Sequence, residues 1–106
     1  MKFDLKEAFE IIQKMQSELS QIQEEARKKI YEAQSGAGFV TARVNGNLEI
    51  VSISISDEAF ALGDKSLLED LISAAVNQAI EEAKKEGTNL FQKLLGPFSS
   101  GFNINL

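Results

Sequence analysis

The sequence predicts an α+β fold in which a small antiparallel sheet is flanked by two long helices. Three observations carry this prediction. β-rich runs from Phe39 to Val44 and from Leu48 to Ile55 enclose an Asn45-Gly46 dipeptide, whose residues tolerate the positive φ of a type I′ hairpin turn. Apolar residues at Leu5, Ala8, Ile12, Met15, Leu19, Ile22 and Ala26 advance by steps of three and four. Such a heptad seam predicts a helix packed along much of its length against another helix. Ser66 and Glu69 form a capping box ahead of a second helical stripe at Leu68, Leu71, Ile72, Ala75, Val76, Ala79, Ile80 and Ala83.

In chain order, Asp4 caps the first helix, with Glu7 placed to complete a capping box. Phe3, Phe9 and Ile11 widen the stripe near its start, and the Met and Leu positions read as packing. Around Arg27, Lys28 and Lys29 the seam loses register. Ile30 to Ser35 reads on pattern alone as either a last helical turn or a short strand. Position favours the strand, because Gly36-Ala37-Gly38 would then turn it back onto the run at Phe39 and make a three-stranded meander.

Within the hairpin, Val40, Ala42 and Val44 alternate with Thr41 and Arg43, and Val51, Ile53 and Ile55 with Ser52, Ser54 and Ser56. One face of the sheet is thus apolar and the other hydroxylic. Two strands alone are marginal in water, so the apolar face needs a helix, a further strand or a second copy of the chain. Asp57 to Gly63 reads as a turn or a single helical loop. Alanines at 74, 75, 79 and 83 on the last helix allow close approach of a partner element, and Lys84 and Lys85 suit its carboxyl end. Leu90, Phe91, Leu94 and Leu95 continue the stripe beyond Gly87, and Gly96-Pro97 stops it. The chain divides into a domain at 1–95 and a flexible tail at 96–106, whose Phe98, Phe102, Ile104 and Leu106 allow docking elsewhere.

Composition narrows the function. The 106 residues contain no Cys and no His, which removes disulfides, thiolate nucleophiles, the usual zinc ligands and the commonest general base. The amino terminus is neither a signal peptide nor an anchor, and no apolar run is long enough for a bilayer. The expected location is the cytoplasm. The pairs Glu24-Glu25, Asp57-Glu58, Glu69-Asp70 and Glu81-Glu82 read as solvated faces, since helical neighbours in sequence diverge by about 100°. Ser52, Ser54 and Ser56 have no base to activate them. No catalytic residue, metal site, cofactor or small-molecule substrate is expected. SGAG lacks both the lysine of a P-loop and the strand-to-helix setting of a dinucleotide site, and is a strand turn.

Net charge is −5, which counts against nucleic-acid binding by bulk attraction. Residues 1–34 carry six basic and seven acidic groups, 35–60 one and three, and 61–106 four and six. A polyanion site must therefore come from local clustering or from two copies of a modest cluster. Arg27-Lys28-Lys29 reads equally as a solvated patch at a helix end or as part of such a site.

SGAG followed by FVTARVNG, a strand alternating Val and Ile, and then LLEDLISAAVNQAIEEA resembles the YbaB/EbfC family of small bacterial nucleoid-associated proteins. So do KMQ at Lys14 to Gln16, QEE at Gln23 to Glu25, and the GPF and GF near the end. The resemblance covers nearly the whole chain. It implies an αβββα protomer whose three strands begin near Ile30, and a tweezer-like homodimer whose projecting helices embrace double-stranded DNA with little sequence preference. It also implies a place in nucleoid organisation and gene regulation. Family members with clear DNA binding carry more cations on the first helix, where this chain has Glu10, Glu18, Ser20 and Gln21, so the expected affinity is modest and lost at raised salt.

Charge alone nominates the DNA contacts: Lys14 on the first helix, Arg27, Lys28 and Lys29 at its base, and Lys84, Lys85 and Lys93 on the last helix. Lys2 and Lys6 come second, and Arg43 on the polar sheet face ranks lower. A dimer doubles each contact, so about six to ten phosphates would be neutralised. Asn77 falls on the family pattern, and a hydrogen bond in the helix–sheet or dimer interface is its expected role. The competing reading is a protein-interaction module, with the acidic surface and apolar tail recruiting replication or recombination partners.

Overall fold

The computed structural model describes residues 4–102, with side chains as far as Leu95. Its elements are α1 (Leu5–Lys28), β1 (Ile30–Ser35), β2 (Val40–Asn45), β3 (Ile50–Ile55), α2 (Asp57–Ala61) and α3 (Lys65–Phe102). The three strands form one antiparallel sheet in the order β1-β2-β3. The segment that pattern left open, Ile30 to Ser35, is therefore a strand, paired from Ile30 opposite Asn45 to Ser35 opposite Val40.

The core is narrow. Val40, Ala42 and Val44 of β2 are fully buried, and together with Ala33 of β1 they pack against Ala75, Ala79 and Ala83 of α3. Alanine every fourth residue lets the α3 backbone lie close over the sheet. Leu71, Ile72, Val76 and Ile80 seal the edges of this contact. α1 buries none of its residues. The radius of gyration is 20.8 Å, against about 13 Å for a compact domain of this length, and the longest extent is 74 Å. The shape follows from α3, whose 38 residues span about 57 Å and run well past the sheet.

The type I′ geometry expected at Asn45-Gly46 is found in the other turn. Ala37 and Gly38 both have positive φ, 55° and 95°, and the Phe39 N–H donates to the Gly36 carbonyl. The type I′-like turn is thus in SGAG, not at Asn45-Gly46. At the second turn the Leu48 N–H donates to the Asn45 carbonyl, the Asn45 N–H to the Glu49 carbonyl, and Leu48 takes the positive φ of 63°. This is a three-residue loop with a left-handed third residue, the usual alternative to a two-residue turn. Gly46 is needed there for space: a Cβ would lie 1.8 Å from the Ala26 carbonyl oxygen. A bulge beside Arg43 and Val44 then sets Ile50 opposite Val44, which displaces Val51 from the strict alternation expected of β3.

Asp4 caps α1 by accepting from the Lys6 N–H at 2.9 Å. The segment after β3 is a short helix, capped by Ser56 through the Ala59 N–H. α3 opens two residues earlier than the Ser66-Glu69 box predicts, at Lys65, because the Asp64 carboxylate takes the Leu67 N–H at 3.0 Å. Nor does Gly96-Pro97 stop α3, which continues to Phe102. Proline in a helix loses one hydrogen bond and crowds the carbonyl four residues back, and a Cβ on the preceding residue adds a further clash. Gly96 has none. Phe98 and Phe102 lie within the helical backbone described, and their side chains, with Ile104 and Leu106, lie outside the described residues, as do Lys2 and Phe3.

Candidate nucleic-acid interface

The heptad seam of α1 faces the distal half of α3 from Ile12 onward, without the close helix–helix packing expected along its length. Ile12, Met15, Leu19 and Ile22 line an open apolar groove whose other wall is Phe91, Leu94 and Leu95. Nearer the sheet, Ile22, Glu25, Ala26 and Lys29 of the α1 end share a smaller depression with Ala83, Glu86, Gly87 and Leu90. Residue numbers fall along one helix as they rise along the other, so the two run antiparallel and project from the sheet as a two-helix arm. The packing is loose, and Met15 remains 54% exposed.

The base of the arm is fastened by polar contacts. The Gly46 N–H donates to the Arg27 carbonyl at 3.0 Å, and the Lys29 ammonium donates to the Glu86 carboxylate while lying 5.6 Å from the Tyr31 ring centroid. That carboxylate raises the Lys29 pKa above the usual lysine value. Partial burial, which disfavours the phenolate, raises that of Tyr31.

Of the nominated cations, the structure groups Arg27, Lys28 and Lys29 at the arm's base, with Lys84 and Lys85 on the adjoining turn of α3. Arg27 and Lys28 share Glu24, at 3.5 and 3.7 Å, and Lys29 is held by Glu86. These pairs are exposed and contribute little to stability. They do lower the net charge of the base. Lys14 and Lys93 stand further out, and neither makes an ion pair among the described residues. Lys6, at the start of α1, is also exposed. Arg43 is committed to Glu32 at 2.9 Å and Ser52 at 3.4 Å on the polar face of the sheet.

Asn77 is exposed on α3, not in the helix–sheet contact suggested for it, because the sheet-facing positions are Ala75 and Ala79. Ser35 and Gly36 have a packing role that the sequence did not reveal. The Ser35 hydroxyl donates to the Leu71 carbonyl at 2.6 Å, and Leu71 Cδ2 would be 3.0 Å from any Cβ on Gly36.

A second apolar surface lies at the other end of the molecule. Ile53 and Ile55 pair with the buried Ala42 and Val40, yet remain 41% and 39% exposed. α3 covers β1 and β2 and leaves β3 open. Phe60 of α2, at 74% exposure, and Leu62, which follow β3 in the chain, are also open. Among the described residues no group of carboxylates is arranged to hold a metal ion, and no helix is long and apolar enough to cross a membrane.

Comparison with known proteins adds three findings. The sequence model of the YbaB/EbfC DNA-binding family matches residues 1–98. A nucleoid-associated protein of Caldanaerobacter subterraneus is 40% identical over 102 residues, covering 96% of this chain and 88% of the relative, and one of Clostridium novyi is 42% identical over 84 residues, covering 79% and 74%. A crystal structure of an uncharacterised Helicobacter pylori protein superposes with a TM-score of 0.69 at 26% identity, covering 89% of this chain and 99% of that one.

Proposed function

The chain belongs to the YbaB/EbfC DNA-binding family of nucleoid-associated, non-enzymatic proteins, and from that premise we propose that it binds duplex DNA as a homodimer, with little sequence preference, between its projecting arms. The observation that carries this reading is the open half of the sheet. An apolar surface that pairs Ile53 and Ile55 with core residues yet stays open is the kind that a second copy covers. Joining two protomers there sets two arms on one body.

The cations nominated for the phosphate backbone are Arg27, Lys28, Lys29, Lys84 and Lys85 at the base, and Lys14 and Lys93 further out. Each is modest alone. Their neighbours Glu24 and Glu86 reduce the attraction, so affinity rests on duplication and weakens as salt rises. The proposed setting is the nucleoid, where such binding organises DNA and bears on gene regulation, with residues 1–95 as the binding domain and 96–106 as an appendage to it.

The test joins assembly to binding. Sedimentation analysis of the parental protein should give a dimer, and a gel-shift titration on random duplex should give binding at low salt that fades at physiological salt. Ile53→Asp should yield folded monomers with at least tenfold weaker binding. A parental protein that is monomeric, or that ignores duplex at both salt concentrations, would remove the proposal.

A further inference from the structure

Three parallel lanes run along α1. The apolar seam that faces α3 comprises Ile12, Met15, Leu19, Ile22 and Ala26. One residue later, with the same steps of three and four, come Gln13, Gln16, Ser20, Gln23 and Arg27; one residue earlier come Ile11, Lys14, Glu18, Gln21 and Glu25, with Glu7 ahead of them. Residues spaced in this way share a helix face, and the two outer lanes flank the seam on opposite sides. One is free of carboxylates. The other carries three.

The base of the arm tells which side of α3 each lane adjoins. Glu86 pairs with Lys29 and shares a depression with Glu25, so the acidic lane lies on the Glu86 side. Lys84 and Thr88, each two residues from Glu86, are turned about 160° away from it and lie beside the amide lane. Lys93, two helical turns beyond Glu86, shares the acidic side.

We infer that the arm presents one side to DNA, made by Gln13, Gln16, Ser20, Gln23, Arg27 and Lys84, and turns the side bearing Glu18, Glu25 and Glu86 away. This rests on the DNA-binding reading above and divides the nominated cations: Arg27 and Lys84 meet phosphate, Lys14 and Lys93 do not. Charge complementarity selects the side. A phosphate backbone is repelled by the carboxylates of the acidic lane, whereas glutamine amides and a serine hydroxyl donate to phosphate oxygens, and the carboxylate bordering their lane, Glu24, is paired with Arg27 and Lys28. Such neutral donors release no counterions, so they add affinity that survives moderate salt.

Gln21 and Gln23 occupy the same turn of α1, both exposed, in opposite lanes. Gln21→Glu and Gln23→Glu therefore add the same charge at the same height on the two sides. Titrated on random duplex at low salt, Gln23→Glu should bind about tenfold more weakly than the parental protein and Gln21→Glu within about twofold of it. Gln23, like Gln16 and Glu18, borders the groove between the helices, so Ser20→Glu repeats the test outside it, and circular dichroism confirms helix content for each variant. Equal losses, or a larger loss for Gln21→Glu, would overturn the assignment of sides while leaving DNA binding intact. A parental protein that does not bind would instead remove the reading on which the inference rests.

Discussion

One helix, α3, serves two regions built differently. Over the sheet its Ala75, Ala79 and Ala83 are sealed against Val40, Ala42 and Val44. Beyond Gly87 the same helix faces α1 across an open groove, and nothing on α1 is buried. Small residues permit close contact where the sheet lies flat beneath the helix. Phe91, Leu94 and Leu95 oppose long side chains on α1 and hold the two helices apart. The sheet end thus supplies the folding free energy, and the arm supplies length and surface. An elongated binding protein needs both, and the fastening of the arm at its base is where they meet.

The sharpest way to break this arrangement is at that fastening. Gly46→Ala places a Cβ onto the Ala26 carbonyl, where backbone on both sides leaves no flexible atom to yield. A loss of about 3 kcal/mol or more is expected in chemical denaturation, and a loss below about 1 kcal/mol would mean that the α1 end is not held there. A matched pair then compares the regions directly. Val44→Ala in the fully buried core should cost about 2 kcal/mol, and Met15→Ala on the half-exposed seam less than about 0.5 kcal/mol. Equal costs would show the arm to be as tightly closed as the sheet end. The smallest effect belongs to the hairpin loop. Leu48 has a φ of 63°, strained for a side chain with a Cβ, so Leu48→Gly should stabilise by about 0.5 kcal/mol, the strain relieved being partly offset by glycine's greater entropy loss. A decrease in melting temperature would contradict it.

Much of the fold was legible because its signals are local. The seam from Leu5 to Ala26, the alternation in β2 and the alanine spacing on α3 each report a periodicity that tertiary context did not alter. Ile30 to Ser35 was ambiguous for the same reason: a six-residue strand with partial alternation carries too little pattern, and its pairing with β2 decides it. The candidate site was less legible. Charge nominated Lys14 and Arg27 alike, and nothing in one helix tells which flank adjoins Glu86 of another.

By itself, then, the sequence determined the kinds and order of the elements, the apolar and polar faces of the sheet, and the absence of Cys and His chemistry, since these follow from residue type and short-range spacing. Tertiary structure decided how tightly the second turn sits against α1, where Gly46 leaves room for the Ala26 carbonyl. It also left β3 uncovered and gave the arm an acidic and an amide side. Each of these depends on where a second, distant segment lies, and spacing along one chain cannot encode that distance.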